Sequence, residues 1–275
     1  MLVSASIVLF RNSLSECQKI LNCLDTSLID HIILVDHSGD ERLAVLKNYS
    51  PKIEYIPHEN RGYGAGHNVA IRKSIELNSD YHLVVNADIT FEPGTIEKIV
   101  SFMEEHPEVG HLMPKVFYPD GRIQYLCKLL PTPWDMFARG FLPERWIRRG
   151  QRKFTLAFSG YDMIMNAPYL SGCFMFIRTK VFQEIGCFDE RYFMYPKDAD
   201  LTRRIHEKYK TVFFPGASIV HNHIAAHRKS LRMKKVMIEN MIRYFNKWGW
   251  LLDRQRQEFN RTLLAELKAA GKDMY

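Results

Sequence analysis

The chain has few cysteines, and none is placed to cooperate with another. Cys17, Cys23, Cys127, Cys173 and Cys187 are scattered, odd in number and free of CxxC or zinc-finger spacing. That pattern excludes a disulfide framework and points to reduced thiols in a cytosolic compartment. Long apolar runs are missing too. Nowhere do roughly 18 uncharged apolar residues follow one another, so no membrane-spanning helix is expected and any membrane contact is peripheral. The apolar start, residues 1–10, lacks a basic flank and meets Arg11-Asn12 at once, so it reads as a first strand and not as a leader. No internal repeat or low-complexity tract appears, which removes solenoids and disorder as organising themes.

What is present is ample core material and an excess of positive charge. In 275 residues, 46% hydrophobic and 12% aromatic content suits one large α/β domain, or one domain with an appendage. The net charge of +7 and pI of about 9.1 suit anionic partners: nucleotides, nucleic acid or an acidic lipid surface. The basic residues are not interleaved with a groove-reading or base-stacking motif, which argues against nucleic acid.

Apolar runs and helical spacing alternate from the start. Strands are expected over 4–10, 31–35, 53–56 and 82–85, and helices over 14–23, 41–49 and 66–76. This βαβαβαβ order predicts a mostly parallel, right-handedly connected sheet with helices on both faces and ligands at the strands' carboxyl ends. Downstream, helices are expected over 93–105, 179–185 and 199–209, strands over 109–115, 171–177 and 212–215, and a hairpin-like turn over 118–122. Residues 129–158 show no periodicity; they mix Pro131, Pro133 and Pro143 with aromatic residues and arginines and read as a mobile or surface-associating insertion. The C-terminal third is helical and basic.

Two stretches carry chemistry. The strand at 82–85 ends in Asn86-Ala87-Asp88, an amide and a carboxylate one residue apart, which points to a cation and the diphosphate of a sugar nucleotide. An ordinary Asx turn is the alternative for these residues alone. The loop over 60–68 has three glycines at alternate positions before a helix, which lets backbone and helix N-terminus approach a ligand. Its spacing and place differ from the Rossmann fingerprint, and a glycine-rich structural turn is its alternative.

Taken together, Val35-Asp36-His37-Ser38, the 60–68 loop, Asn86-Ala87-Asp88, Leu170-Ser171-Gly172-Cys173-Phe174-Met175, Gly186-Cys187-Phe188-Asp189-Glu190 and Asp198-Ala199-Asp200-Leu201 occur in the order seen in family 2 glycosyltransferases. The chain resembles the bacterial rhamnosyltransferase branch of that family over roughly residues 3–225. The resemblance implies a GT-A fold, a nucleotide-sugar donor, a divalent cation (Mg²⁺ or Mn²⁺) and inversion at the anomeric carbon. It implies a catalytic domain over 1–225, with a nucleotide-binding half near 1–90 and an acceptor half near 91–225, followed by a basic amphipathic helical extension over 226–275.

Residue by residue, Asp36 matches the acid that binds the nucleobase, with a cap as its alternative role. Asn60, Gly62, Gly64 and Asn68 match the loop around the nucleoside, with Arg61 as a phosphate or base contact. Asp88 matches the last acid of the DxD motif, whose first acid is here Asn86, leaving Asp88 as the one charged ligand. Asn86 would contact the ribose or a metal-bound water. His221 matches the histidine that joins the DxD acid at the metal. His223 and His227 lie near it in sequence, and an all-histidine zinc site is the less favoured alternative. Asp198 matches the base that deprotonates the acceptor, and Lys197 stands where the family has a glutamate. Asp200 is the alternative base, with Asp198 then capping a helix. Gly172 and Cys173 belong to the acceptor and sugar pocket, and Asp189 and Glu190 shape that pocket or cap the turn. Arg228 and Arg232 are candidates to close over the diphosphate, with a solvated basic face as their alternative.

The donor implied first is dTDP-L-rhamnose, moved onto a saccharide or lipid-linked acceptor in surface polysaccharide or O-antigen assembly. Other donors on the same fold, or a non-catalytic nucleotide-sugar-binding subunit, are the rivals. Peripheral contact with an anionic membrane is expected at the cytoplasmic face of the inner membrane. Residues 134–152 suit it; a stripe of Met233, Met237, Met241, Tyr244 and Trp248 is expected by default to pack on the body or in a homo-oligomer, with an anionic bilayer as its alternative.

Overall fold

Short apolar strands separated by amphipathic helices build the first half of the molecule. The computed structural model describes residues 1–136, 144–222 and 231–272, the side chains of 144–147 and 231 excepted. Val3–Leu9 (β1), His31–Asp36 (β2), Ile53–Pro57 (β3) and Tyr81–Val85 (β4) pair in parallel, with Leu14–Asp25 (α1) and Tyr63–Glu76 (α2) as crossovers. Both faces of β1, β2 and β4 are covered, so their residues are almost all buried. Parallel pairing brings Leu9, Asp36 and Val85 to one edge of the sheet, and the polar residues after each strand gather there.

Ile89–Thr90 (β5), Thr95–Glu105 (α3), Val109–Phe117 (β6), Cys127–Lys128 (β7), Glu144–Phe154 (α4), Met165–Asn166 (β8) and Tyr169–Leu170 (β9) follow. Phe174–Arg178 (β10), Thr179–Ile185 (α5), Lys197–His206 (α6), Lys210–His221 (β11), Leu231–Trp248 (α7) and Arg254–Ala269 (α8) complete the chain. Among the described residues the main sheet runs β3-β2-β1-β4-β10-β6-β11-β5, with β8 beside β11. It is mixed: β10 is antiparallel to both β4 and β6, while β6 and β11 are parallel.

Several expected elements differ: the helix expected over 66–76 begins at Tyr63, the strand expected over 171–177 begins at Phe174, and the helix expected over 199–209 spans Lys197–His206. The helix over 41–49 is only a 3₁₀ turn, Ala44–Asn48. Leu43 and Leu46, three apart, are both buried, and Pro51 bars an extension. The strand expected over 212–215 runs on to His221, because the register shift between Phe214 and Ser218 absorbs Pro215 and Gly216 as a bulge. That continuation carries the chain's candidate metal histidine to the functional edge.

The C-terminal helices share a core with the body. Tyr244, Phe245, Leu263 and Leu267 pack in one cluster with Met113, Ala199 and Phe213. Met241 and Tyr244 of the sequence stripe are buried, and the Trp248 indole donates to Asp200 at 2.8 Å, so the stripe faces inward. The described ends of the 129–158 segment are likewise packed, with Leu129, Leu130, Phe154 and Leu156 in the same cluster. Residues 137–143 lie outside the described part.

A buried ion pair fastens α8. Both Arg203 terminal nitrogens donate to Asp253, at 2.7 and 2.6 Å, and the guanidinium lies 4.0 Å from the Trp248 ring centre. Asp253 also caps α8 through the Arg256 N–H at 2.9 Å. Removing one partner strands a buried charge. Asp253→Ala is therefore expected to cost about 3–5 kcal/mol in urea unfolding. The exposed Arg122–Asp120 pair provides the contrast: Asp120→Ala should leave the urea midpoint nearly unchanged, because solvent screens that pair.

Candidate active site

The site is assembled where β4 stops. Past Val85 the chain turns through Asn86, Ala87 and Asp88, then re-enters the sheet as β5, where Ile89 pairs with His221 at the end of β11. The Asn222 N–H donates to the Asp88 carbonyl at 2.9 Å, locking the two chain segments together. This register sets His221 Nε2 3.3 Å from Asp88 Oδ1.

Gln124 orients the imidazole. Its Nε2 donates to the His221 carbonyl at 2.8 Å, which leaves its Oε1 to accept from Nδ1–H of the ring at 2.9 Å. In that tautomer Nε2 presents a lone pair toward the Asp88 carboxylate. A nitrogen lone pair and a carboxylate oxygen at this separation are held together by a shared proton or a shared cation. An oriented histidine beside a partly exposed carboxylate fits a divalent ion that keeps waters and takes further oxygens from a diphosphate. Among the described residues no cluster of three or more metal-binding side chains exists.

The glycine loop is shaped by what it packs against. Gly62, at φ +103°, begins α2, and a Cβ there would lie 2.5 Å from the Phe193 carbonyl oxygen. Any side chain would push residues 62 and 193 apart. Asn60 accepts from the Gly62 N–H at 3.1 Å, and Tyr63 N–H donates to Phe193 O at 3.1 Å. Gly64 lies against Phe188. Asn68 spends its amide on the same segment: it accepts from Phe188 N–H and donates to Phe188 O and Glu190, each at 2.9 Å. Asn68 thus holds the first turns of α2 to residues 188–190. Arg61 is exposed beside Glu59 at 3.3 Å. Asp36, buried at the end of β2, accepts from Ser38 N–H at 2.8 Å and from the Tyr55 hydroxyl at 2.7 Å.

Asp198 opens the first turn of α6. Its Oδ2 accepts from Gly172 N–H at 3.0 Å and its Oδ1 from Ala199 N–H at 3.1 Å. Burial alone would raise its pKa, yet Lys197, Lys128 and the Gly172 N–H outweigh that and hold it below the usual carboxylate value. Burial correspondingly lowers the Lys197 ammonium, which Asp198 opposes. Asp200, two residues on, points elsewhere. It is fully buried against Arg204 at 3.0 Å, Lys247 at 2.6 Å and Trp248, joining α6 to α7.

Tyr63 connects the two departures from acidic residues. Its hydroxyl donates to Gly172 O at 2.5 Å and lies 3.1 Å from Asn86 Oδ1, while Lys197 Nζ sits 3.9 Å from its ring centre. Cys173, whose thiol is pushed up to about 12 by burial, accepts from Asn86 N–H at 3.0 Å through its carbonyl. Asn86, Gly172, Cys173, Lys197 and Asp198 therefore form one contact group. Asp189 faces Arg191 at 2.6 Å and Lys247 at 3.1 Å, and Glu190 faces Asn68 and Arg72. Arg232 is exposed on α7; Arg228, His223 and His227 lie outside the described residues. Tyr63, Gln124 and Lys128 escaped sequence reasoning, since each acts through a contact distant in sequence.

The sequence profile of glycosyl transferase family 2 matches residues 7–186, well over half of the chain. The chain belongs to glycosyl transferase family 2. This glycosyltransferase is 27% identical over 225 residues to the N-acetylglucosaminyl-diphospho-decaprenol L-rhamnosyltransferase of Mycobacterium tuberculosis, covering 72% of each chain. It is 23% identical over 153 residues to the O-antigen biosynthesis protein RfbC of Myxococcus xanthus, covering 55% of this chain and 11% of that one. Its GT-A fold is shared with the mannosyltransferase PcManGT from Pyrobaculum calidifontis, solved in complex with GDP-Man and Mn²⁺: TM-score 0.57 at 13% identity, covering 98% of this chain and 75% of that one. At that identity the likeness is one of fold. No helix among the described residues of the transferase is long and apolar enough to cross a membrane.

Proposed function

We propose that this glycosyltransferase moves L-rhamnose from dTDP-L-rhamnose, with inversion, onto a saccharide or lipid-linked acceptor in cell-surface polysaccharide or O-antigen assembly. The observation that carries the reading is the strand register that seats His221 beside Asp88 at the sheet edge shared with Asp36. The M. tuberculosis relative, a rhamnosyltransferase of a diphospho-decaprenol acceptor by its name, supports both the sugar and the lipid-linked acceptor. Such an acceptor lies in a membrane, which supports peripheral action at the cytoplasmic face, where nucleotide sugars are available.

In the proposed reaction Asp198 takes the proton of the acceptor hydroxyl as its oxygen bonds to the anomeric carbon. The bond from that carbon to the diphosphate breaks on the opposite face, and the electron pair leaves with the diphosphate. Asp88 and His221 would hold Mg²⁺ or Mn²⁺, which when bound neutralises charge on the leaving diphosphate. Gln124 keeps His221 in the tautomer that binding requires. Asp36 would receive the nucleobase, and the glycine loop the nucleoside.

The test is release of nucleoside diphosphate from dTDP-L-rhamnose in the presence of a lipid-linked saccharide, with Mn²⁺ or with chelator, beside UDP-hexose, UDP-N-acetylhexosamine and furanose donors. Turnover of one UDP donor in place of dTDP-L-rhamnose would overturn the sugar assignment. No turnover with any donor would overturn the catalytic reading.

A pH profile probes Lys197. Because Asp198 must be ionised to accept a proton, activity is lost as pH falls through its pKa, and that acid limb of kcat/KM is expected below the usual carboxylate range. Lys197→Met removes the largest influence holding it there. The limb should then move to higher pH; an unmoved limb would separate Lys197 from the base.

A further inference from the structure

The turn between α7 and α8 carries the most exposed apolar side chains among the described residues. Leu251 and Leu252 are 79% and 90% exposed, and Trp250 before them is 38% exposed. Trp134, distant in sequence, is 67% exposed. The structure brings it to the same place. Asn260 of α8 accepts from Leu130 N–H at 2.8 Å and donates to Leu130 O at 2.9 Å. Arg256 reaches both sides, with contacts of 3.4 Å to Pro131 O, 3.4 Å to Trp250 O and 3.3 Å to Leu251 O. A groove of about 670 Å³ runs between Thr132, Leu251 and α8.

Scattered exposed leucines need no explanation, but two adjacent ones at a turn, flanked by two tryptophans and pinned by a buried arginine, form a projecting apolar edge. Its surroundings are basic. Leu129 N–H donates to Phe154 O at 3.0 Å, joining the segment to the end of α4, whose Arg148, Arg149, Arg152 and Lys153 are exposed. Arg254 and Arg261 are exposed on α8, with Glu258 as an opposing acid. Tryptophan and leucine side chains ringed by arginine and lysine suit the boundary between lipid headgroups and acyl chains.

We propose that Trp250, Leu251 and Leu252, with Trp134 beside them, form the edge by which the protein docks on an anionic lipid bilayer. The proposal rests on the reading of a lipid-linked acceptor, and it moves the docking site away from the Met233–Trp248 stripe, which packs inward. Full-length protein, without donor or acceptor, is sedimented at low salt with vesicles of phosphatidylcholine alone or with phosphatidylglycerol. The expected result is binding to the phosphatidylglycerol vesicles that the L251D/L252D variant weakens about tenfold or more and that added salt also weakens. Both substitutions fall on exposed side chains, so the circular dichroism spectrum and nucleoside diphosphate release with a soluble acceptor should be unchanged.

Binding by L251D/L252D equal to the parent would overturn the proposal while leaving the transferase reading intact. So would failure of the parent to bind, or equal binding to both vesicle types. A parent that is dimeric by light scattering, with L251D/L252D monomeric, would overturn it in favour of a second copy on this edge. Loss of transfer to every acceptor, with vesicle binding retained, would instead fail the proposed function alone.

Discussion

Replacing Asp198 by asparagine is expected to lower turnover about 10³-fold, within the range a positioned general base supplies. The variant's amide oxygen can still accept from the N–H of Gly172 or of Ala199, which bind separate oxygens of the carboxylate, but it has no lone pair basic enough to take the acceptor's proton. Donor affinity should hold within a few-fold, because in the proposed reaction Asp198 acts on the acceptor hydroxyl and makes no contact with the nucleotide. Single-turnover kinetics beside calorimetric nucleotide binding would check it. Asp200→Asn is the informative partner. Its carboxylate is buried in ion pairs with Arg204 and Lys247, so its loss should lower stability before it alters the chemical step. A turnover retained in Asp198→Asn and lost in a folded Asp200→Asn would reverse the assignment of the base.

Asp88→Asn should lower metal-stimulated activity about 10²–10³-fold, the several kcal/mol that a cation contributes to a departing diphosphate. His221→Ala should do the same, since Asp88 and His221 approach one another at 3.3 Å as though around one ion. Two ligands of one ion act as a unit, so the double variant should cost little more than either single change. Mn²⁺ titration of activity and of intrinsic fluorescence in the four proteins completes the cycle. Strictly multiplicative losses, or a parent enzyme indifferent to chelator, would remove the metal from the proposed reaction.

Much of this site is legible in the chain because its chemistry falls at strand ends, and strand ends are local. The run expected over 82–85, observed as Tyr81–Val85, closes on Asn86 and Asp88 by its own pattern, and the helix expected over 179–185 is the observed Thr179–Ile185. The glycines at the start of α2 signal a close approach, though only the fold shows that the neighbour at Gly62 is the backbone of Phe193. Gln124 carried no signal: it follows an ordinary turn and acts on a histidine 97 positions away. The inward stripe of α7 and the outward Leu251-Leu252 pair were also opaque, because amphipathic spacing states that a face is apolar and not what covers it.

By itself the sequence determined the alternation of strands and helices, the acid and amide at the end of β4, and the motif order that identifies a family 2 glycosyltransferase. These are properties of short windows and of their succession. The tertiary structure decided that β11 continues through a bulge to set His221 beside Asp88, that the carboxylate of Asp198 meets Gly172 while that of Asp200 binds α7, and that Tyr63 links Asn86 to Lys197. Each of these is a contact between segments far apart in the chain, set by sheet register and helix packing, and no local pattern encodes a register.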